Sequence, residues 1–414
     1  MISALLLASV AMATDWVSLQ GLEPVDPERA ALRGFGFVQV LGEGAWPTPV
    51  QGLESEGLAP YNGQVPVFNH VAGKGQSTAM SLRRVRVGVR GEIPGTQGMW
   101  STFAALELGQ NGVTMSGGEW RPTLMDASIT YRSPTPVHLR LGRFKIPMAD
   151  ATLEAVHTSA DLLQFSLVTR RLLLDREIAE NGSEFTGRAN GFRDVGVQLF
   201  GSHTLASLEL SWAAMVGTGE AQLAARGPGA DLTLRAQASW LLSDAPARKQ
   251  GREELSFWVW GQSGGREINE SSVQRTRAGV GVQLQKAHLR ARVEGLYAQG
   301  VLNTGASFPF GTSPIAMAPD GQAWGSTALL SYRWETLELG MHWGHLDSQF
   351  QEPAAERIFE EVTGFAQLHV GPRVIVAGNL MWREGRAPQG SPDAQRILES
   401  FSPYGGLQLT VIAP

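Results

Sequence analysis

Along much of this chain, apolar and polar residues alternate one by one. From Leu232 to Trp240 the even positions are apolar, and the odd ones are Thr233, Arg235, Gln237 and Ser239. From His288 to Glu294 the same period carries charge, with Arg290 and Arg292 set between Leu289, Ala291 and Val293. Period two puts successive side chains on opposite faces of a strand. A strand with guanidinium groups on one face and hydrocarbon on the other does not suit a soluble sandwich core. It suits a wall between lipid and water, and predicts an all-β fold: a transmembrane antiparallel β-barrel.

About sixteen segments read as strands: 33–41, 79–90, 99–109, 123–132, 137–144, 191–200, 204–215, 231–242, 254–263, 274–285, 287–299, 323–333, 336–346, 360–369, 372–382 and 403–413. Most have about the 9 to 11 residues that a tilted strand needs to cross a bilayer. Long connectors (42–78, 110–122, 145–190, 216–230, 264–273, 300–322, 347–359, 383–402) alternate with short ones such as 133–136, Gly201-Ser202-His203, Lys286 and Gly371. Outer-membrane barrels keep that rhythm, with short periplasmic turns and long outer loops.

The faces follow from charge. Val85, Val87 and Val89 oppose Arg84, Arg86 and Arg90; Val137, Leu139 and Leu141 oppose His138 and Arg140; Ala278, Val280, Val282 and Leu284 oppose Arg275, Arg277, Gln283 and Gln285. Reversing any of them would put Arg into lipid at about 2–4 kcal/mol each near the midplane. In 254–263, Leu255, Phe257 and Val259 compete with Trp258 and Trp260 for the lipid face. Trp100, Trp240, Tyr332 and Trp334 are expected near the periplasmic rim, and Trp212 and Trp324 near the outer one, as interfacial girdles.

Composition narrows the classes. The 414 residues contain no cysteine, which excludes disulfides, thiol catalysis and Cys-ligated metals. A net charge of -5 gives no argument for nucleic acid. No apolar run approaches the roughly 20 residues of a membrane helix. Only four of the 34 basic residues are lysine (Lys74, Lys145, Lys249, Lys286). The opening residues form a short apolar core ending in Ala11-Met12-Ala13, a small-x-small cleavage pattern without a basic leader. The expected organisation is a signal peptide over 1–13, a short periplasmic segment over 14–32 and a barrel over 33–414.

Two constellations carry the functional reading. Arg84, Arg86, Arg90, Arg140, Arg235, Arg275, Arg277, Arg290, Arg292 and Arg333 fall on the predicted lumen face. Guanidinium stays charged and can fork onto an oxyanion, so rows of it in water would concentrate small anionic solutes. The same residues could instead pair with lumen acids to hold the wall, as Arg292 could with Glu294. The second constellation is connector 145–190. Its apolar stretch Leu162–Val168 calls for burial, and folding it into the lumen would narrow the pore and present Arg170 and Arg171. An outer cap or a subunit contact is the other use of such a loop.

The segment Leu139-Arg140-Leu141-Gly142-Arg143-Phe144-Lys145-Ile146-Pro147-Met148 resembles the strand-to-loop signature G-[QR]-F-K-x-P-[FM] of the phosphate-selective porin O and P family. The acidic residue, Ser, apolar run and Arg pair that follow in that family are matched by Glu154, Ser159, Leu162–Val168 and Arg170-Arg171. The resemblance implies a sixteen-stranded, usually homotrimeric barrel with its third long loop folded inward. It also implies that Arg143, Lys145, Arg170 and Arg171 lie near the narrow zone. Two features depart from the family pattern. The chain ends in Pro414 rather than an aromatic residue, and its lysines are too few for a Lys-rich phosphate cluster.

Enzymatic signals are thin. Gly261-Gln262-Ser263-Gly264-Gly265 matches G-x-S-x-G, but no helix pattern follows to form a nucleophile elbow. His342 and His345, three apart on a strand, point to opposite faces and cannot share a metal. The expectation is therefore an outer-membrane porin set in lipid, without cofactor or metal and not an enzyme. It would pass small hydrophilic solutes, anions preferentially. A non-conducting binding or structural barrel and, further off, a barrel-embedded hydrolase are the alternatives.

Overall fold

The computed structural model describes residues 16–17, 31–67, 78–109, 111, 113, 122–155, 162–219, 230–243, 252–311, 314–400 and 403–413. The expected signal peptide 1–13 and Ser159 lie outside the described residues. In chain order the elements are β1 (Leu32–Ala45), β2 (Ala79–Glu92), β3 (Trp100–Glu107), β4 (Thr123–Tyr131), β5 (Val137–Lys145), α1 (Asp150–Leu153), α2 (Leu167–Leu172), β6 (Arg176–Ile178) and β7 (Glu184–Ala189). They continue with β8 (Arg193–Leu205), β9 (Leu208–Gly217), β10 (Asp231–Leu241), β11 (Glu254–Ile268), β12 (Ser271–Lys286), β13 (Leu289–Gln299), β14 (Leu302–Ala306) and β15 (Ile315–Ala318). The last are β16 (Gln322–Trp334), β17 (Leu337–Ser348), β18 (Arg357–Val370), β19 (Val374–Arg386), α3 (Pro392–Glu399) and β20 (Tyr404–Ile412).

Sixteen of these strands close into one antiparallel barrel, in the order β1–β5, β8–β13, β16–β20. The seam pairs β1 with β20 from Phe37↔Ile412 to Ala45↔Tyr404. All sixteen coincide with the segments read from alternation, and the faces agree. Val87, Val89, Leu141, Val280, Val293, Leu232 and Leu234 are exposed on the outside, while Arg84, Arg140, Arg275, Arg277, Arg290 and Arg292 are buried inside. β6, β7, β14 and β15 form a separate four-stranded sheet, β14-β15-β7-β6, built from two of the long connectors. Its apolar residues Phe185 and Met317, with Val301 just before β14, pack with Ile268 at the end of β11.

Three sequence expectations need correction. Connector 264–273 is not a loop: β11 and β12 run on to Ile268 and Ser271 and meet in a two-residue turn. Both turn residues, Asn269 and Glu270, have left-handed φ angles of 48° and 65°, the geometry whose twist suits a two-residue hairpin. Ser263 of the G-x-S-x-G match therefore sits within strand β11, paired with Leu232 and Thr276. Second, Gly201-Ser202-His203 belongs to β8, and the turn is Ala206-Ser207. Gly201 is glycine because the Pro136 carbonyl approaches its backbone too closely for a Cβ, and such a glycine mimics a turn signal. Third, Trp212 pairs with Gly201 and Ala236, midway along its strand rather than at the outer rim. Tyr332 and Trp334 do meet at the short-turn end, with ring centroids 4.5 Å apart. Trp324, at the other end, donates to Asp347 at 3.2 Å.

The ambiguous strand 254–263 resolves with both indoles inside. Trp258 and Trp260 are buried, and Phe257 and Val259 face lipid. The reason is polar: each indole Nε1 donates to Glu294 Oε1, at 2.9 and 3.1 Å, and lipid would leave those donors unmet.

Candidate functional site: a loop across the arginine-lined lumen

The connector after β5 turns into the barrel, where α1 and α2 lie across the lumen. Ser166 caps α2, its side chain accepting from the Thr169 N–H. Leu167, Val168 and Leu172 pack with Trp258, Trp260, Leu296, Ala323, Leu346 and Phe359, from the inner faces of β11, β13 and β16–β18. The sequence makes room for this approach. A Cβ at Gly325 of β16 would lie 2.7 Å from Val168 Cγ1 and 2.9 Å from the His345 carbonyl oxygen. The far end of the loop is tied to β1, β2 and β19. The Leu163 N–H donates to Asn379 Oδ1 at 2.5 Å, Arg83 donates to Gln164 at 3.1 Å, and Gln164 donates to Glu43 at 3.2 Å.

The loop separates two sets of inward arginines. On the wall from β10 to β16 the inward arginines meet a carboxylate or are consumed by backbone. Arg275 pairs with Asp175 at 2.7 Å and Asp231 at 3.7 Å. Arg292 pairs with Asp150 at 2.8 Å and with Glu154. Arg290 lies 3.6 Å from Glu154 and 3.5 Å from Glu338. Arg235 lies 3.6 Å from Asp150, and Arg333 pairs with Glu338 at 2.6 Å. Arg277 donates to the carbonyls of Leu172, Thr276, Gln299, Gly300 and Val301. Asp150, Glu154 and Asp175 all come from the loop, so these ion pairs dock it.

On the β1–β5 and β18–β19 side several of the partners are neutral oxygens. Arg84 donates to Gln39 Oε1 at 2.8 Å, and Arg140 to Ser128 Oγ at 2.9 and 3.1 Å. Arg143 donates to the Asn190 carbonyl at 3.1 Å, and Lys145 to the Glu154 carbonyl at 2.7 Å. Arg90 lies over the Phe35 ring at 5.4 Å. Acids are present too: Arg86 pairs with Glu107 at 2.7 Å, Arg193 of the neighbouring β8 with Asp126 at 2.9 Å and Arg383 with Glu361. The α2 arginines belong to this side. Arg171 is buried over Phe359 at 4.6 Å, and its Nε and Nη1 have no hydrogen-bond acceptor among the described residues. Burial, and behind it the charges of Arg176, Arg383 and Arg83, push the Arg170 pKa from 12.5 down to about 9, with Glu361 acting in the opposite sense. Burial and then Arg383 push Arg171 down to about 9 as well. Both remain cationic at neutral pH, with Arg383 close to each and Glu361 the carboxylate that acts on Arg170.

The sequence missed Arg83, Arg193 and Arg383. Strict alternation sends Arg83 to lipid, but the register slips between Gln39 and Val40, and this irregularity brings Arg83 inside next to Arg84. Arg383 lies one residue past the expected end of its strand; the alternation Trp382-Arg383-Glu384 would have found it.

A search among curated proteins finds no match. Among solved structures the chain is similar to the anion-selective porin from Comamonas acidovorans, with a TM-score of 0.58 at 11% identity, covering 92% of this chain and 99% of that one. It is also similar to the outer membrane channel DcaP of Acinetobacter baumannii (TM-score 0.54, 11% identity, 92% and 97% covered). A third is the in-vitro folded trimer form of OmpT of Vibrio cholerae (TM-score 0.51, 8% identity, 93% and 100% covered). At these identities the likeness is one of fold. The sequence itself matches the family model of phosphate-selective porin O and P over residues 61–308, a stretch that holds the crossing loop and all the inward arginines named above except Arg333 and Arg383, and the chain belongs to that family of bacterial outer-membrane porins.

Proposed function

We propose that this porin passes small hydrophilic solutes with a preference for anions, along the side of the loop lined by Arg83, Arg84, Arg170, Arg171 and Arg383. The observation that carries this reading is the cluster of guanidinium groups there, close enough to act on one another. Several guanidinium groups here donate to Gln, Ser and carbonyl oxygens, and the charges of Arg176, Arg383 and Arg83 act on Arg170 beside the effect of burial, a repulsion that an anion would relieve. Arg86, Arg90, Arg140, Arg143 and Lys145 extend the positive field. Arg275, Arg277, Arg290 and Arg292 serve mainly to hold the loop. No energy source is needed: each contact is weak enough to release the solute. The anion selectivity named for the Comamonas porin supports the same direction, and the trimer form of OmpT supports assembly as a homotrimer.

Reconstituted in a planar bilayer under a KCl gradient, the unmodified protein should give discrete current steps and a zero-current potential of the sign set by Cl⁻. A K⁺ potential would remove the anion preference. A reproducible absence of steps would favour the alternative, a non-conducting barrel, for which the apolar packing of α2 against the far wall is the specific argument.

A further inference from the structure

The segment that precedes β1 does not all stay outside the barrel. Trp16 and Val17 are buried within it, packed with Leu153 of α1, Phe200 of β8 and Ala213 of β9. Phe200, Ala213 and Arg235 form one row across three neighbouring strands, Phe200↔Ala213 and Ala213↔Arg235. All three are buried on the lumen side at about mid-height of the wall. The Arg235 guanidinium lies over the Trp16 ring at 5.0 Å and over the Trp258 ring at 5.4 Å. Trp16 thus fills the space between the wall and the crossing loop and covers a lumen arginine.

Reach poses no difficulty. β1 begins at Leu32 on the short-turn end. The roughly 14 residues between Val17 and β1 extend at most about 50 Å, more than a bilayer core is thick.

We propose that Trp16 and Val17 form a cis-acting plug. From the short-turn end they dock beneath α1, narrow the water path there, and hold the channel below the conductance its barrel can support. This rests on the reading of the barrel as a conducting porin. The recognition is a flat aromatic ring on a guanidinium, backed by Phe200 and Leu153, which suits reversible seating better than a covalent or ionic lock would.

Two measurements on the full chain test it together. The protein has no cysteine, so Val17→Cys with Ala213→Cys introduces a unique thiol pair. The folded barrel should form an intramolecular cross-link with a short thiol-reactive bridge, seen as a mobility change. Separately, Trp16→Ser with Val17→Ser should raise the unitary conductance roughly twofold or more, since a water-filled pore carries ions in proportion to its open section. No cross-link in the folded barrel overturns the placement. A cross-link together with equal conductance of the substituted and unmodified proteins overturns the plug. If neither protein conducts, the channel reading itself fails, and the cross-link alone then reports where the segment sits.

Discussion

The two sides of the lumen use the same residue for different ends. On the β10–β13 wall, arginines meet carboxylates delivered by the loop: Asp150 and Glu154 for Arg290 and Arg292, Asp175 for Arg275. Charge there is balanced and spent on architecture. Across α2, Arg84, Arg140 and Arg143 donate to Gln39, Ser128 and a backbone carbonyl, all of them neutral acceptors. The lesson is that an inward arginine counts toward a field only after its partner is known. The sequence reveals the arginine; the cross-lumen partner decides what it does.

The largest expected effect follows from reversing the unbalanced side. Arg170→Glu with Arg171→Glu should turn the zero-current potential from the Cl⁻ sign toward the K⁺ sign, because two cations become two anions in a narrow, poorly screened zone. Retention of the wild-type potential would mean that ions pass elsewhere. Next in size is damage to the balanced side. Asp150→Asn with Glu154→Gln strands Arg292, and removing the partners of a buried cation costs about 3–5 kcal/mol. The loop should then come loose, seen as faster proteolysis within 145–190 and a lower unfolding temperature of the barrel. Unchanged values would show that the pairs do not dock the loop.

A smaller effect comes from the packing that separates the sides. Gly325→Val pushes α2 off β16, and overpacking of this kind costs about 1–3 kcal/mol. Thermal unfolding should register it, and an unchanged midpoint would deny the close approach of Val168. The smallest effect lies above both sides, in the outer loops. Ser55 Oγ and the N–H groups of Ser55 and Glu54 donate to the Asp393 carboxylate, holding its pKa at about 2. Asp393 lies in α3, so these bonds tie the loop after β1 to the loop before β20. A depressed carboxylate contributes stability that is complete above its unfolded value near 4 and is lost as pH falls through its folded value near 2. Hydrogen exchange at Glu54 and Ser55 should therefore accelerate, relative to its intrinsic rate, only between about pH 4 and pH 2, and Asp393→Asn should flatten that dependence.

Much of the barrel was legible in the sequence because its cause is local. A lipid face on one side of a strand forces period two, and Val280 or Arg277 carries that information alone. The loop's entry into the lumen was legible too, from the unmet apolar demand of Leu162–Val168. What could not be read depends on distant groups or on irregular backbone. Trp258 and Trp260 face inward because Glu294, on another strand, accepts from them. Arg83 is inside because of a slip in register with β1. Gly201 looked like a turn because the Pro136 carbonyl that excludes its side chain comes from a different hairpin. The roles of individual arginines were the least legible, since Asp150, Glu154 and Asp175 lie far along the chain from Arg275 and Arg292.

The asymmetry of the two sides is tested most directly by neutralising one pair on each and comparing zero-current potentials in the same KCl gradient. Arg170→Gln with Arg171→Gln should lose most of the anion preference, whereas Arg290→Gln with Arg292→Gln should keep its sign and shift it less. Equal losses from the two pairs, or a larger loss from the second, would contradict the account.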